Sequence, residues 1–397
     1  MKTAYKNLLK FGLIFLIFLL LLTPLCRQKS VCAETPPKTS EEQSIEDSYL
    51  SQLDKLQLAD LEAYFQSLFN SNEPLKSRLI AFIKGGDFDY ASFGNKLLET
   101  LLKKLTDLFP SFACIVAISL TTGIIASIKS EANGKTATNM IFLIAYAASL
   151  VPLIGVLSTC FQATIYCIQE MKTQMDLIFP IMLTLTSASG ASLTASLCQP
   201  AVGFFSTTIV SIIRSIVLPL TVAVIVFSMA GHISKDLKIN KFTAFFTSLN
   251  KWIIGICVSV FGLFLTLQGI TTSAYDGVVR RAAKYALGAG IPIVGGFLSG
   301  GFDLTIAGSI LIKNSLGNMG IFLMGSVLFE PFVLLIGVTL LLRLSAAITQ
   351  PFGDTRISDF LGETANYLQY CTASLLLTAF LYFLTVMVMI FASEALF

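Results

Sequence analysis

The chain has 397 residues, 54% of them hydrophobic and 13% charged, with a mean hydropathy of +0.77. A soluble domain carries about 25% charged residues, so this composition excludes an ordinary water-soluble protein. The formal net charge of +3 is small and scattered along the sequence, which gives no electrostatic footprint for nucleic acid.

Residues 1–33 have the three parts of a secretory signal peptide. Lys2, Lys6 and Lys10 form the basic end, "FGLIFLIFLLLL" the apolar centre, and the small residues Val31 and Ala33 suggest cleavage before Glu34. Cys26 follows Leu25, where a lipoprotein signal would have a small residue. The same stretch also suits an uncleaved anchor, and in both cases the region beginning at Glu34 is exported.

Residues 34–108 read as a small extracytoplasmic helical region. Leu50, Leu53, Leu61, Tyr64, Phe65 and Leu68 recur at three- and four-residue spacings, the pattern of an amphipathic helix. Gly85 and Gly86 break the pattern, and "NKLLETLLKKLTDLF" predicts a second amphipathic helix. The apolar faces need a cover: their own hairpin, the membrane surface or another protein.

Residues 109–397 read as a polytopic all-α transmembrane domain, with about 6–8 helices on the criterion of roughly 18 or more apolar residues each. The strong spans are 109–128, 139–165, 201–231, 252–275, 319–342 and 372–393. Two weaker segments, 177–198 and 289–312, are rich in Ser/Thr and in Gly respectively. A shift of 112 residues lays 139–165 on 251–277 and 201–231 on 313–343. It also matches Pro180 with Pro292, Ser187 with Ser299, Ala195 with Ala307 and Pro219 with Pro331. This suggests an internal duplication, with units 139–231 and 251–343, of the kind found in transport folds. Chance alignment of similar hydropathy explains the match equally well.

Basic residues lean toward a topology in which both weak segments are re-entrant from the exported face. The inside loops then hold Lys129, Lys135, Lys235, Lys238, Lys241, Lys251, Arg343 and Arg356. The outside loops hold Lys172, Arg280, Arg281, Lys284 and Lys313. Full crossings would nearly equalise the two sides. Re-entrant backbone requires a cover of protein or water.

Three ionisable residues lie within apolar segments: Arg214, Asp303 and Glu330. Such residues face a bundle interior, a partner or water, or they snorkel to an interface. The 112-residue shift sets Glu330 one helical turn from Arg214, so an Arg214–Glu330 pair is one expectation. Gly295, Gly296, Gly300, Gly301 and Gly308 suit close helix packing or, alternatively, a hinge or pore-lining loop.

Catalytic signatures are lacking. Cys114, Cys160, Cys167, Cys198, Cys257 and Cys371 lie in or beside apolar spans without metal-type spacing, and His232 is the only histidine. No G-x-x-x-x-G-K-[ST] phosphate loop is present, and no nucleophile has a base partner in sequence. No enzyme, cofactor, metal or nucleic-acid partner is expected.

The run "RRAAKYALGAGIPIVGGFLSGGFDLTIAGSILIKNSLG", with "FIKGGDFDYASF" in the exported region, resembles the stage III sporulation protein AE family of endospore-forming bacteria. The resemblance extends to the order of signal, exported helices and polytopic domain. It implies a multi-pass protein of the mother-cell membrane around the forespore. Such a protein would work in a hetero-oligomeric channel or secretion-like complex with other membrane proteins of stage III sporulation, in contact with membrane lipid. It carries over no catalytic residues. A stand-alone secondary transporter or permease for a small solute is the alternative.

Overall fold

The computed structural model describes residues 59–69, 90–130, 135–191, 195–196, 199–200, 203–233, 239–271, 295–352 and 355–394. The expected signal segment, the first part of the expected extracytoplasmic region and the residues Arg280, Arg281 and Lys284 lie outside the described residues. Among the described residues every regular element is helical. They are α1 (Ala59–Phe69), α2 (Tyr90–Ser130), α3 (Lys135–Ala188), α4 (Leu218–Ile233), α5 (Asn240–Thr271), α6 (Gly295–Phe352) and α7 (Thr355–Glu394). Two π-helical turns, Phe204–Ile209 and Ile213–Val217, lead into α4. Six helices are long and apolar enough to cross a membrane, and each overlaps one of the six strong spans read from sequence.

The weak segments behave differently from a re-entrant loop. Residues 177–188 continue the helix of the preceding span without a break, giving α3 its 54 residues. Residues 295–312 run on into the following span, giving α6 its 58 residues. The hydroxyl groups of the first weak segment are compatible with its helicity. Thr184 donates to the Pro180 carbonyl and Thr186 to that of Met182, both at 2.7 Å, so these polar groups are satisfied by their own helix. α3 stops at Ala188 because Gly190 takes a left-handed φ of 89°, while Ala191 N–H returns to the Thr186 carbonyl. The expected boundary at residue 108 falls inside α2, which carries the second amphipathic stretch straight into the first span across Pro110.

Side-chain contacts fix the helix directions. Cys167 meets the Val327 carbonyl and Gln174 the Leu323 carbonyl, so α3 and α6 are antiparallel. Lys313 meets the carbonyls of Met389 and Ile390, Tyr382 that of Gly320, and Ser358 that of Ala346, so α6 and α7 form an antiparallel hairpin. α7 therefore runs parallel to α3, with Phe360 against Tyr146 and Tyr382 against Phe179. α4 and α5 are antiparallel, joined by Asn250–Thr221 and by the stacked Phe227 and Phe246. In both units of the sequence shift an upward helix precedes a downward one. The first unit has its unbroken long helix on the upward limb and the second on the downward limb.

α3, α6 and α7 make the centre of the bundle. Their shared core includes Ile178, Phe179, Met182, Leu316, Met319, Leu323, Tyr382 and Val386. At 1.5 Å per residue α3 is about 80 Å long and α6 about 87 Å, against a hydrocarbon layer of about 30 Å. Neither rod fits inside one bilayer.

Candidate functional site

Exposure divides α3 and α6 into two zones. On α3 the exposed large apolar side chains include Met140, Ile144, Val151, Ile154 and Tyr166, and on the corresponding length of α6 they are Phe329, Ile336, Leu340, Leu344 and Ile348. Among the described side chains of α3 after Tyr166, none is a large exposed hydrophobe. There Ile178, Phe179, Met182 and Leu185 turn inward, while Asp176, Thr184 and Ser187 face out. The first zone has the surface of a lipid-facing bundle, whereas the second is mixed, with outward polar groups on α3 and the exposed Leu311 on α6 and Phe391 on α7.

A belt of polar contacts separates the zones. On α3 it occupies Gln169, Glu170, Lys172, Gln174 and Asp176. Arg214, in the second π-helical turn, donates to Gln169 Oε1. Lys104 on α2 pairs with Glu330 on α6, both side chains partly exposed. Lys172 pairs with Asp176 one turn along α3. Helix α1 also seats here. Tyr64 donates its phenolic proton to Glu170 Oε2 at 2.9 Å and accepts from Gln174 Nε2 at 3.1 Å. Gln174 donates as well to the Leu323 carbonyl at 3.3 Å, linking α1, α3 and α6. Burial, and then the Glu170 carboxylate, push the Tyr64 phenol well above its ordinary range, so it stays a donor. Leu61 and Phe65 are buried on the same face of α1, as its apolar spacing predicts.

The residues singled out in the sequence fall as follows. Arg214 and Glu330 both belong to the belt, yet they do not pair with each other. Gln169 and Lys104 are their partners instead. Gly295, Gly296, Gly300 and Gly301 lie in the first two turns of α6, whose described backbone is α-helical from Gly295 onward. Gly308 is buried in that helix. Asp303 lies on the same helix, and its side chain is outside the described residues.

Two features escape the sequence reading. Lys313, a loop residue by hydropathy, is fully buried, and its ammonium donates to the Met389 and Ile390 carbonyls at 2.9 and 3.0 Å. A cation near the C-terminal end of a helix is favourably placed against its dipole. Glu363, on α7, accepts from Ser228 at 2.7 Å and from Tyr367 at 3.3 Å, and His232 contacts the Ser228 carbonyl. The strong span begins at residue 372 in sequence, which leaves Glu363 among apparent loop residues. Its signal is the alternation of "ISDFLGETANYL", apolar on one helical face only.

The profile of stage III sporulation protein AE matches residues 75–393 of this chain. A relative of that description from Bacillus subtilis (strain 168) is 22% identical over 323 residues, covering 81% of each chain. No solved structure matches. The match spans the six long helices and the belt residues they carry, and the chain belongs to the stage III sporulation protein AE family.

Proposed function

We propose that this protein is a non-enzymatic membrane subunit of a channel or secretion-like complex linking mother cell and forespore, in the mother-cell membrane around the forespore. The observation that carries the reading is the belt. Below it the bundle has a lipid-facing surface; above it α3, α6 and α7 continue as one packed stem, with α1 docked at the junction. A pump that works alone has little use for such a stem, whereas an assembly gains a rigid platform on one membrane face.

The positive-inside rule orients it. The end of the bundle opposite the belt carries Lys135, Lys241, Arg343 and Arg356, so that end is cytoplasmic and the stem is exported. The N-terminal region, the weak segments and the C-terminus of α7 then share the exported side. The partners of the stem are other membrane proteins of the stage III sporulation complex, with lipid around the lower zone.

Purification in mild detergent tests this. Stoichiometric co-purification of other sporulation membrane proteins is expected, while solute uptake by the isolated protein in liposomes would overturn the reading. Asp303 lies on the exported length of α6 in this arrangement. Asp303→Leu is therefore expected to lower sporulation while membrane insertion stays normal; normal sporulation in that variant contradicts a role for the carboxylate.

A further inference from the structure

Two opposite charges in the belt meet α3 at neighbouring residues and do not pair. Arg214 is exposed, donates to the Gln169 side-chain oxygen and makes no ion pair with any described residue. The next residue, Glu170, is a carboxylate, and its donor is the neutral phenol of Tyr64 on α1, at 2.9 Å. Tyr166, one turn away on α3, also faces that carboxylate. The α-carbons of Gln169 and Glu170 are about 3.8 Å apart. The other belt cations, Lys172 and Lys104, are already paired with Asp176 and Glu330.

A guanidinium and a carboxylate bind each other more strongly than either binds a neutral group. Here each has taken the neutral partner, and α1 is what withholds Glu170. Leu61 and Phe65 are buried beside Tyr64 on the same face of α1. That burial outweighs a partly exposed ion pair, so the docked arrangement wins while α1 stays seated. Once α1 leaves, Glu170 loses the Tyr64 phenol and becomes the better partner for Arg214.

The backbone under Arg214 can follow. Arg214 lies in the second π-helical turn, Ile213–Val217, and only Val210–Ile212 separates it from the first, Phe204–Ile209. A π turn carries one residue more than the α-helix needs, and such turns recur at functional sites. Returning one to α geometry rotates the chain before it by about 100° relative to the chain after it. Pro219 follows and supplies no N–H to the turn before it, so the ladder is already weaker there.

We infer that α1 and Arg214 form a two-state switch on Glu170. With α1 docked, the guanidinium rests on Gln169; with α1 away, it moves to Glu170 and the helix leading into α4 changes register. Docking of α1 is thereby coupled to residues 204–217. The inference uses neither the placement of the bilayer nor the identity of the assembly, so it can fail while the proposed function stands.

Spin-label distances in the purified full chain, its own cysteines replaced, test the coupling. Labels at Ser67→Cys and Thr184→Cys follow α1, and labels at Thr207→Cys and Thr184→Cys follow the chain before Arg214. Tyr64→Phe with Phe65→Glu should raise the population with α1 away about tenfold or more. A second 207–184 distance should appear in the same proportion. With Glu170→Gln or Arg214→Gln added, α1 still leaves, but the 207–184 distance stays single. The pair Val151→Cys and Val226→Cys should not change in any variant, which separates the switch from lost folding. An α1 that stays seated, a 207–184 distance that ignores its departure, a change that survives Glu170→Gln, or a moving 151–226 pair would overturn the inference.

Discussion

Tyr64 is the residue on which α1 meets the bundle of long helices. Its hydroxyl serves Glu170 and Gln174 at once, and Gln174 is fully buried. Tyr64→Phe leaves a buried amide short of a partner, which costs about 1–3 kcal/mol. The expected outcome is faster proteolysis of the region around α1 in exported-side-out membranes, with the spans still protected. The Lys104–Glu330 pair is a different matter, since its side chains are 50% and 39% exposed. Lys104→Ala should shift unfolding in detergent by less than about 1 kcal/mol, as partly exposed ion pairs do. An intramembrane ionisable residue is conspicuous in sequence, and Arg214 and Glu330 stand out for that reason. Their partners are not legible there, because Gln169 and Lys104 come from other helices, and no spacing rule connects them. Glu363 is hidden for the opposite reason: Asp359, Asn366 and Gln369 dilute the hydropathy around it.

At the level of elements, the six strong spans are readable because each is an apolar run long enough to exceed a soluble core helix. The weak segments suggest re-entrant loops through their Ser, Thr, Gly and Pro content. Hydroxyls bonded back to their own helix remove that argument, and Pro180 is accommodated within α3. What sequence does not convey is that α3 and α6 run well past the bilayer and pack against α7 there. That packing depends on small residues. A methyl at Gly317 would come within 2.7 Å of Ile390 and 3.2 Å of Met182, so the buried Ile390 side chain must shift to admit it. Gly317→Ala should therefore lower stability by about 1–3 kcal/mol through overpacking. Gly325→Ala, where the added methyl meets nothing within 4 Å, should leave it unchanged or slightly raised. Thermal unfolding of the two variants in the same detergent compares them directly.

The whole molecule is a bundle with two kinds of surface, divided by one belt. From Met140 to Tyr166 α3 rises about 40 Å, close to the thickness of a bilayer with its headgroups. Arg214, Glu330, Lys104 and α1 all gather at the upper limit of that rise, while the basic residues Lys241, Arg343 and Arg356 lie toward the other end. The exposure of α3 and the charge distribution are what carry the proposed placement in the membrane. Accessibility of single cysteines tests it most directly, in a chain whose own cysteines are replaced. An impermeant maleimide added to the exported side should label Thr184→Cys and Asn318→Cys. It should not label Val151→Cys, and should reach Lys241→Cys only after the membrane is opened. Protection of positions 184 and 318 from the exported side, or labelling of 241 in sealed membranes, would contradict a stem that stands outside the bilayer.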